Sequence, residues 1–380
     1  MNKSLEDIKL NVFKKEDSQA LKGIAILLMV FHHCFRSTEL FEKYTISFFP
    51  FSEGVVVNLA LMGKICVALF AFISGYGLFL SYDKRKTTAS RWAASRYIKT
   101  FSGFWFIYVL LAAANIVVGN RFAKIYFGDG FWVGIASVLL DFAGLAKLFG
   151  TGTLIGTWWY MSAAIVFIIL IPLLYKSIKD KSWIILIACT LFLRVILVRV
   201  EAGTFTGNNS IYAFIPAFLA GTLFAKEDLF NKWVKIGSWG GATKVIKFAA
   251  EFLLLFVFGL FYTKLPLGTF WEFKFCVVPV VFIMFCVEFI IPLRFIHSVL
   301  GFFGKHSMNI FLVHTFIRAG YLSDFTYSWK HFALVVIVLF AVSLVISIIL
   351  ECGKKIVKYN TYIDRVCARI DYSGKYMPGN

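Results

Sequence analysis

The stretch LKGIAILLMVFHHCF, from Leu21 to Phe35, holds one lysine and two histidines in an otherwise apolar run. With its flanks it extends from Ser18 to Arg36, long enough as a helix to cross a hydrocarbon core of about 30 Å. In that helix Lys22 and His33 are eleven residues apart, three turns plus roughly 20°, with a rise of about 16 Å. They share one face. A charge in lipid is costly, so the Lys22 face is expected to point into a bundle of helices and to carry His33 with it. His32 is turned by about 100° and is the weaker candidate. Two bland alternatives stay open: Lys22 snorkelling to the cytoplasmic surface, and His33 as a hydrogen-bonded packing residue.

The rest of the chain extends the pattern. Of 380 residues 59% are hydrophobic and only 16% charged, with a mean hydropathy of +0.78, which excludes a soluble globular domain. Nine further apolar stretches are long enough to span: Lys64 to Tyr82, Tyr97 to Gly119, Trp158 to Tyr175, Trp183 to Arg199, Ser210 to Ala225, Ile246 to Lys264, Trp271 to Ile291, Ser298 to Arg318 and Phe332 to Leu350. The amino-terminal head, alternate loops and the tail carry 26 Lys and Arg, counting charges at span ends, against 11 in the intervening loops. The fold class is therefore all-α, a polytopic membrane protein of about ten transmembrane helices with both termini cytoplasmic. A single membrane domain, residues 1–351, precedes a short basic cytoplasmic tail, residues 352–380, and the expected location is the cell membrane, multi-pass. The first span reads as a retained signal anchor.

The run from Phe131 to Phe149 carries Asp141 and Lys147, and counting it as a span would move the Lys-rich loops and tail outside. It reads instead as an interfacial or re-entrant helix on the outer side. The net charge of +18 follows from topology, and no basic segment joins a nucleic-acid fold. Seven cysteines without a CxxC pair point to inert thiols rather than a metal.

Ionisable groups within spans are the candidate functional residues. His314 lies about sixteen residues into an outward-running span and His33 about fifteen into its own, depths of about 24 and 22 Å. A pair of imidazoles at one depth suits proton transfer from an alcohol. Arg91, Arg96 and Lys99 belong to a basic cluster leading into the third span. Arg96 and Lys99, three apart on one face, could grip a phosphorylated donor, or the cluster could be topogenic charge on anionic headgroups. Arg194 needs a partner or a polar cavity, while Glu251 and Glu288 are expected to pair with nearby Lys or Arg. Ser74, Gly75 and Gly77 suit close packing, and Trp158, Trp159 and Tyr160 suit an interfacial belt.

Together these segments resemble acyltransferase family 3, the integral membrane acyltransferases that modify surface glycans and related sugars. LKGIAILLMVFHHCF looks like the family's opening of a basic residue, ten residues and a histidine, which falls on His33. VALFAFISGYGLF (Val67 to Phe79) is similar to its Phe-rich run ending in Ser-Gly. RYIKTFSGFW (Arg96 to Trp105) is similar to its two basic residues leading into the third span, and WWYMSAAIVFIILIPLL (Trp158 to Leu174) to its Trp-led helix ending in Pro. FGKHSMNIFLVHT (Phe303 to Thr315) is similar to its last signature, whose histidine falls on His314. Two departures stand out: Ala164 where many members have glutamate, and no proline near Ser102.

The resemblance implies an acyl-CoA donor, usually acetyl-CoA, no permanently bound cofactor, and a sugar or glycan hydroxyl as acceptor. The expected catalytic residues are His33, His314 and Lys22, with Arg96, Lys99 and Arg91 holding donor phosphates. No extracytoplasmic hydrolase-like domain of the kind some members carry is expected here, so the membrane domain, or a separate extracytoplasmic partner, would complete the transfer. A polytopic transporter or flippase for a lipid-linked sugar is the rival reading. Paired broken helices in two halves would mark it, and none is visible in the sequence.

Overall fold

The structure is a computed structural model that describes residues 12–119, 121–199, 211–236, 240–265 and 270–372. It is helical without a strand among those residues, as a chain in lipid must be when every backbone polar group has to be satisfied within its own segment. The helices are α1 (Lys15–Phe35), α2 (Glu53–Met62), α3 (Ile65–Asp83), α4 (Ala89–Gly119), α5 (Arg121–Tyr126), α6 (Phe131–Phe142), α7 (Ala146–Phe149) and α8 (Trp159–Arg199). They continue as α9 (Ile215–Glu227), α10 (Leu229–Lys235), α11 (Gly241–Tyr262), α12 (Val278–Phe285), α13 (Arg294–Thr315), α14 (Ser323–Tyr327), α15 (Phe332–Ile356) and α16 (Tyr359–Tyr372).

Seven helical stretches are long and apolar enough to cross a membrane: 15–35, 53–83, 89–117, 156–193, 241–262, 273–290 and 332–356. The other expected spans also fall on helix. Trp183 to Arg199 is the second half of α8, which departs from helical geometry at Lys181. α9 has only 13 residues, yet it is buried on every side from Ile215 to Phe224, the mark of a helix inside the core rather than on its surface. In α13 the residues Lys305, His306, Asn309 and His314 interrupt the apolar run.

Glycines set the two tightest crossings. Gly23 of α1 lies against the Leu300 backbone and Gly304 of α13 against the Gln19 backbone, each so close that a Cβ would overlap a carbonyl. Gly75 of α3 and Gly221 of α9 meet Phe218 and Phe72 in the same way. Small residues allow backbones this near, and packing in lipid depends on such contact because apolar transfer gives little drive between helices. Gly77, by contrast, has open space around it.

The α6 segment has 12 residues, a length of about 18 Å, too short for the core of about 30 Å. The turn after it is held to the bundle by three donors: Tyr97 Oη to the Ala143 carbonyl at 3.0 Å, Trp105 Nε1 to Phe142 at 2.9 Å and Ser162 Oγ to Gly144 at 2.6 Å. The backbone of a re-entrant turn is tolerated at depth when protein satisfies its carbonyls in this way.

Candidate active site

α1 and α13 run side by side through the middle of the bundle, and near their ends His33 and His314 face each other with ring centroids 5.1 Å apart. The similar depths read from the two spans are met by actual proximity. His314 is fully buried, whereas His33 is half-buried. The Nδ1 of His314 lies 3.0 Å from the Ile310 carbonyl and 2.9 Å from that of Phe311. Carbonyls only accept, so Nδ1 carries the proton and Nε2 of the neutral ring keeps its lone pair. That lone pair accepts from the Thr315 hydroxyl at 3.1 Å, and Thr315 in turn accepts from Thr157 at 3.3 Å. Among the described residues no hydrogen bond reaches His33. One imidazole of the pair is fixed by protein and the other is open to a ligand.

His32 faces a different wall. It is buried, and its Nδ1 donates to the Ala60 carbonyl at 2.7 Å. Lys22 shares the His33 face on an unbroken α1 and so stays about 16 Å below it; it makes no ion pair with a described residue and does not join the histidines. A residue that sequence reasoning missed does: Arg318 is 6% exposed, lies in the π-helical turn Phe316–Tyr321 that follows α13, and acts electrostatically on His32, His33 and His314. Its Nε has no hydrogen-bond partner among the described residues. An arginine at a span end reads as an interfacial anchor, but π-turns concentrate at functional sites.

Beside the pair opens a cavity of 580 Å³ whose walls include Trp158, Trp159, Lys147, Thr151, Thr153 and Asp141. Trp158 joins it to the histidines, since its Nε1 donates to the Leu312 carbonyl at 3.1 Å. Both tryptophans are buried, at 2% and 9% exposure, so they serve this interior wall and not an interfacial belt. Asp141, which the sequence offered only as a reason against a span, is buried in a network with the Tyr126 hydroxyl, the Thr153 hydroxyl at 2.9 Å and the Leu154 amide at 2.8 Å. An aspartate in an apolar helix was the available signal.

A family model described as an acyltransferase domain matches residues 16–352, most of the chain. The chain belongs to acyltransferase family 3. No individual curated protein and no solved structure matches it. Family membership makes the chain a membrane acyltransferase, and the matched region holds both histidines, Arg318 and the cavity.

The basic residues expected to hold donor phosphates lie on α4, apart from the histidines. Arg96 and Lys99 sit on the face of α4 that α16 covers. Lys99 pairs with Asp364 at 3.9 Å, both exposed, and Asp371 accepts from Ser95 at 3.2 Å while acting on Arg96. Arg91 is half-buried one turn earlier. The structure thus gathers Arg96 and Lys99 with tail carboxylates and leaves them apart from the histidines. Of the remaining charges, Lys247 pairs with Glu288 at 2.6 Å and Glu251 is buried beside them, while the Arg194 side chain lies outside the described residues.

Proposed function

We propose that this acyltransferase moves an acetyl group from acetyl-CoA to a hydroxyl of a cell-surface or lipid-linked sugar. The observation that carries the reading is the buried histidine pair in which only His33 is left open. Its ring nitrogen accepts the hydroxyl proton as the oxygen attacks the thioester carbonyl. The new C–O bond forms, the C–S bond breaks, and the departing CoA thiolate takes a proton from the His33 imidazolium. The fixed ring of His314 orients its partner, and the unpaired Nε of Arg318 is available to the oxyanion that develops on the carbonyl oxygen.

The cavity of 580 Å³ suits the acceptor. Its indole walls can lie against the C–H face of a sugar ring, while Lys147, Thr151 and Thr153 offer partners to hydroxyls, the mix of apolar wall and few polar groups typical of a small-molecule site. On the donor side Arg96, Lys99 and Arg91 would hold CoA phosphates, with Lys22 along the path between that mouth and His33. The Lys99–Asp364 pair is exposed and worth only about 0–1 kcal/mol, so a phosphate could displace it. Mass spectrometry of surface glycans from cells with and without the gene tests the reading. A missing acetyl is expected, and identical glycans would overturn it.

A further inference from the structure

A separate, smaller cavity of 190 Å³ is lined by His32 and Arg36 of α1, Lys64 ahead of α3, Tyr262 and Thr263 at the end of α11, and Lys274 before α12. Its composition is lopsided. Lys274 is 7% exposed, forms no ion pair with a described residue, and stands 5.3 Å from the centroid of the Tyr262 ring. Tyr262 is 4% exposed and its hydroxyl has no hydrogen-bond partner among the described residues. Glu39 acts on Arg36 at the rim, but among the described residues no carboxylate acts on Lys274. Arg318 adds its charge to His32 and Arg36 from behind.

A largely buried lysine and a buried hydroxyl, neither matched by a described residue, line one cavity, and a ligand that meets both would offset their cost. Cations from three separate segments converge, so that ligand is an anion. A carboxylate is planar and meets donors from few directions, whereas a tetrahedral phosphate turns oxygens toward several walls at once. The volume fits such a group and not a glycan.

We propose that this cavity is a phosphate site, holding the phosphate either of a membrane lipid headgroup or of a soluble molecule, with Lys274 and Tyr262 as its inner donors and Arg36 at its mouth. His32 forms one wall, turned about 100° around α1 from His33. The site itself stands apart from the acyl-transfer reading, since binding is read without any reaction.

The test uses the full chain in maltoside micelles, which contain no phosphate, and follows thermal unfolding with inorganic phosphate against chloride at equal ionic strength, and with added phosphatidylglycerol. Phosphate is expected to raise the midpoint saturably. Lys274→Met should weaken that response by about tenfold or more, the usual weight of a charged hydrogen-bond donor, while unfolding later than wild type without phosphate because an uncompensated buried charge is gone. Tyr262→Phe removes one oxygen and should weaken the response without loss of fold. If phosphatidylglycerol raises the midpoint and abolishes the effect of phosphate, the source is a lipid headgroup; if phosphate still acts in its presence, the source is soluble. Equal responses in wild type and both variants, or no response to either probe, would overturn the proposal.

Discussion

Replacing His33 with alanine removes the one imidazole of the pair that no described residue engages. Because no described residue hydrogen-bonds to its ring, truncation strands no described donor or acceptor, and the half-buried site loses mainly ring contacts with His314 and His32. The expected cost therefore falls on rate. A positioned base contributes about 10² to 10⁴, or about 3–5 kcal/mol of barrier, and His314 is a poor substitute because Thr315 occupies its Nε2 at 3.1 Å. His32→Ala is the companion variant, and the structure changes what it should do. Sequence geometry makes it the mild control, but it deletes the donor to a buried carbonyl at 2.7 Å, a loss of about 1–3 kcal/mol of stability. It should lower membrane abundance while keeping the activity of each folded molecule. Labelled acetyl transfer in membranes, divided by folded protein from fluorescence-detected size exclusion, separates the two. Near-normal specific activity without His33, or an equal loss of specific activity in both variants, would refute the assignment of His33 as base.

Thr315→Val should slow turnover by up to about tenfold with little change in KM, since one neutral hydrogen bond of about 0.5–1.5 kcal/mol is lost at His314. Arg96→Ala and Lys99→Ala should raise the apparent KM for acetyl-CoA, and Asp364→Asn with Asp371→Asn should lower it by freeing those cations; steady-state kinetics on both pairs decides whether they hold donor phosphates. Gly304→Ala places a Cβ on the Gln19 carbonyl and should cost more than a routine substitution, about 2 kcal/mol or more, seen as a lower unfolding midpoint in micelles. Outside the spans, the Tyr44 hydroxyl and then Lys43 hold the Asp324 carboxyl below its ordinary range. A depressed carboxyl stabilises above its unfolded value of about 3.9 and loses that effect as pH falls through the folded one. Amide protection around Tyr44, taken relative to the intrinsic exchange rate at each pH, should therefore be steady from pH 7 to about 5 and fall below about 4.

The apolar stretches and the depth of each histidine were legible because both depend only on rise per residue and on the cost of charge in lipid. That arithmetic found His33 and His314 without knowing which helices touch. It could not find Arg318, whose place beside the pair depends on the π-turn after α13, nor the role of Asp141, whose partners come from α5 and from the loop after α7. It separated His32 from His33 by angle but could not say that Ala60 would claim one ring. The covering of Arg96 and Lys99 by α16 was equally hidden: periodicity places residues on a face, while the identity of the neighbour on that face is a tertiary fact.

The backbone contacts at Gly23 and Gly304, and at Gly75 and Gly221, bear on how material moves across the membrane. A carrier that alternates between two openings must slide one group of helices past another, and helices interlocked at carbonyl distance cannot ratchet without first coming apart. The histidine pair is mounted on one such interlock. In the proposed reaction the pair would therefore stay in place, with side chains and not whole helices supplying the motion.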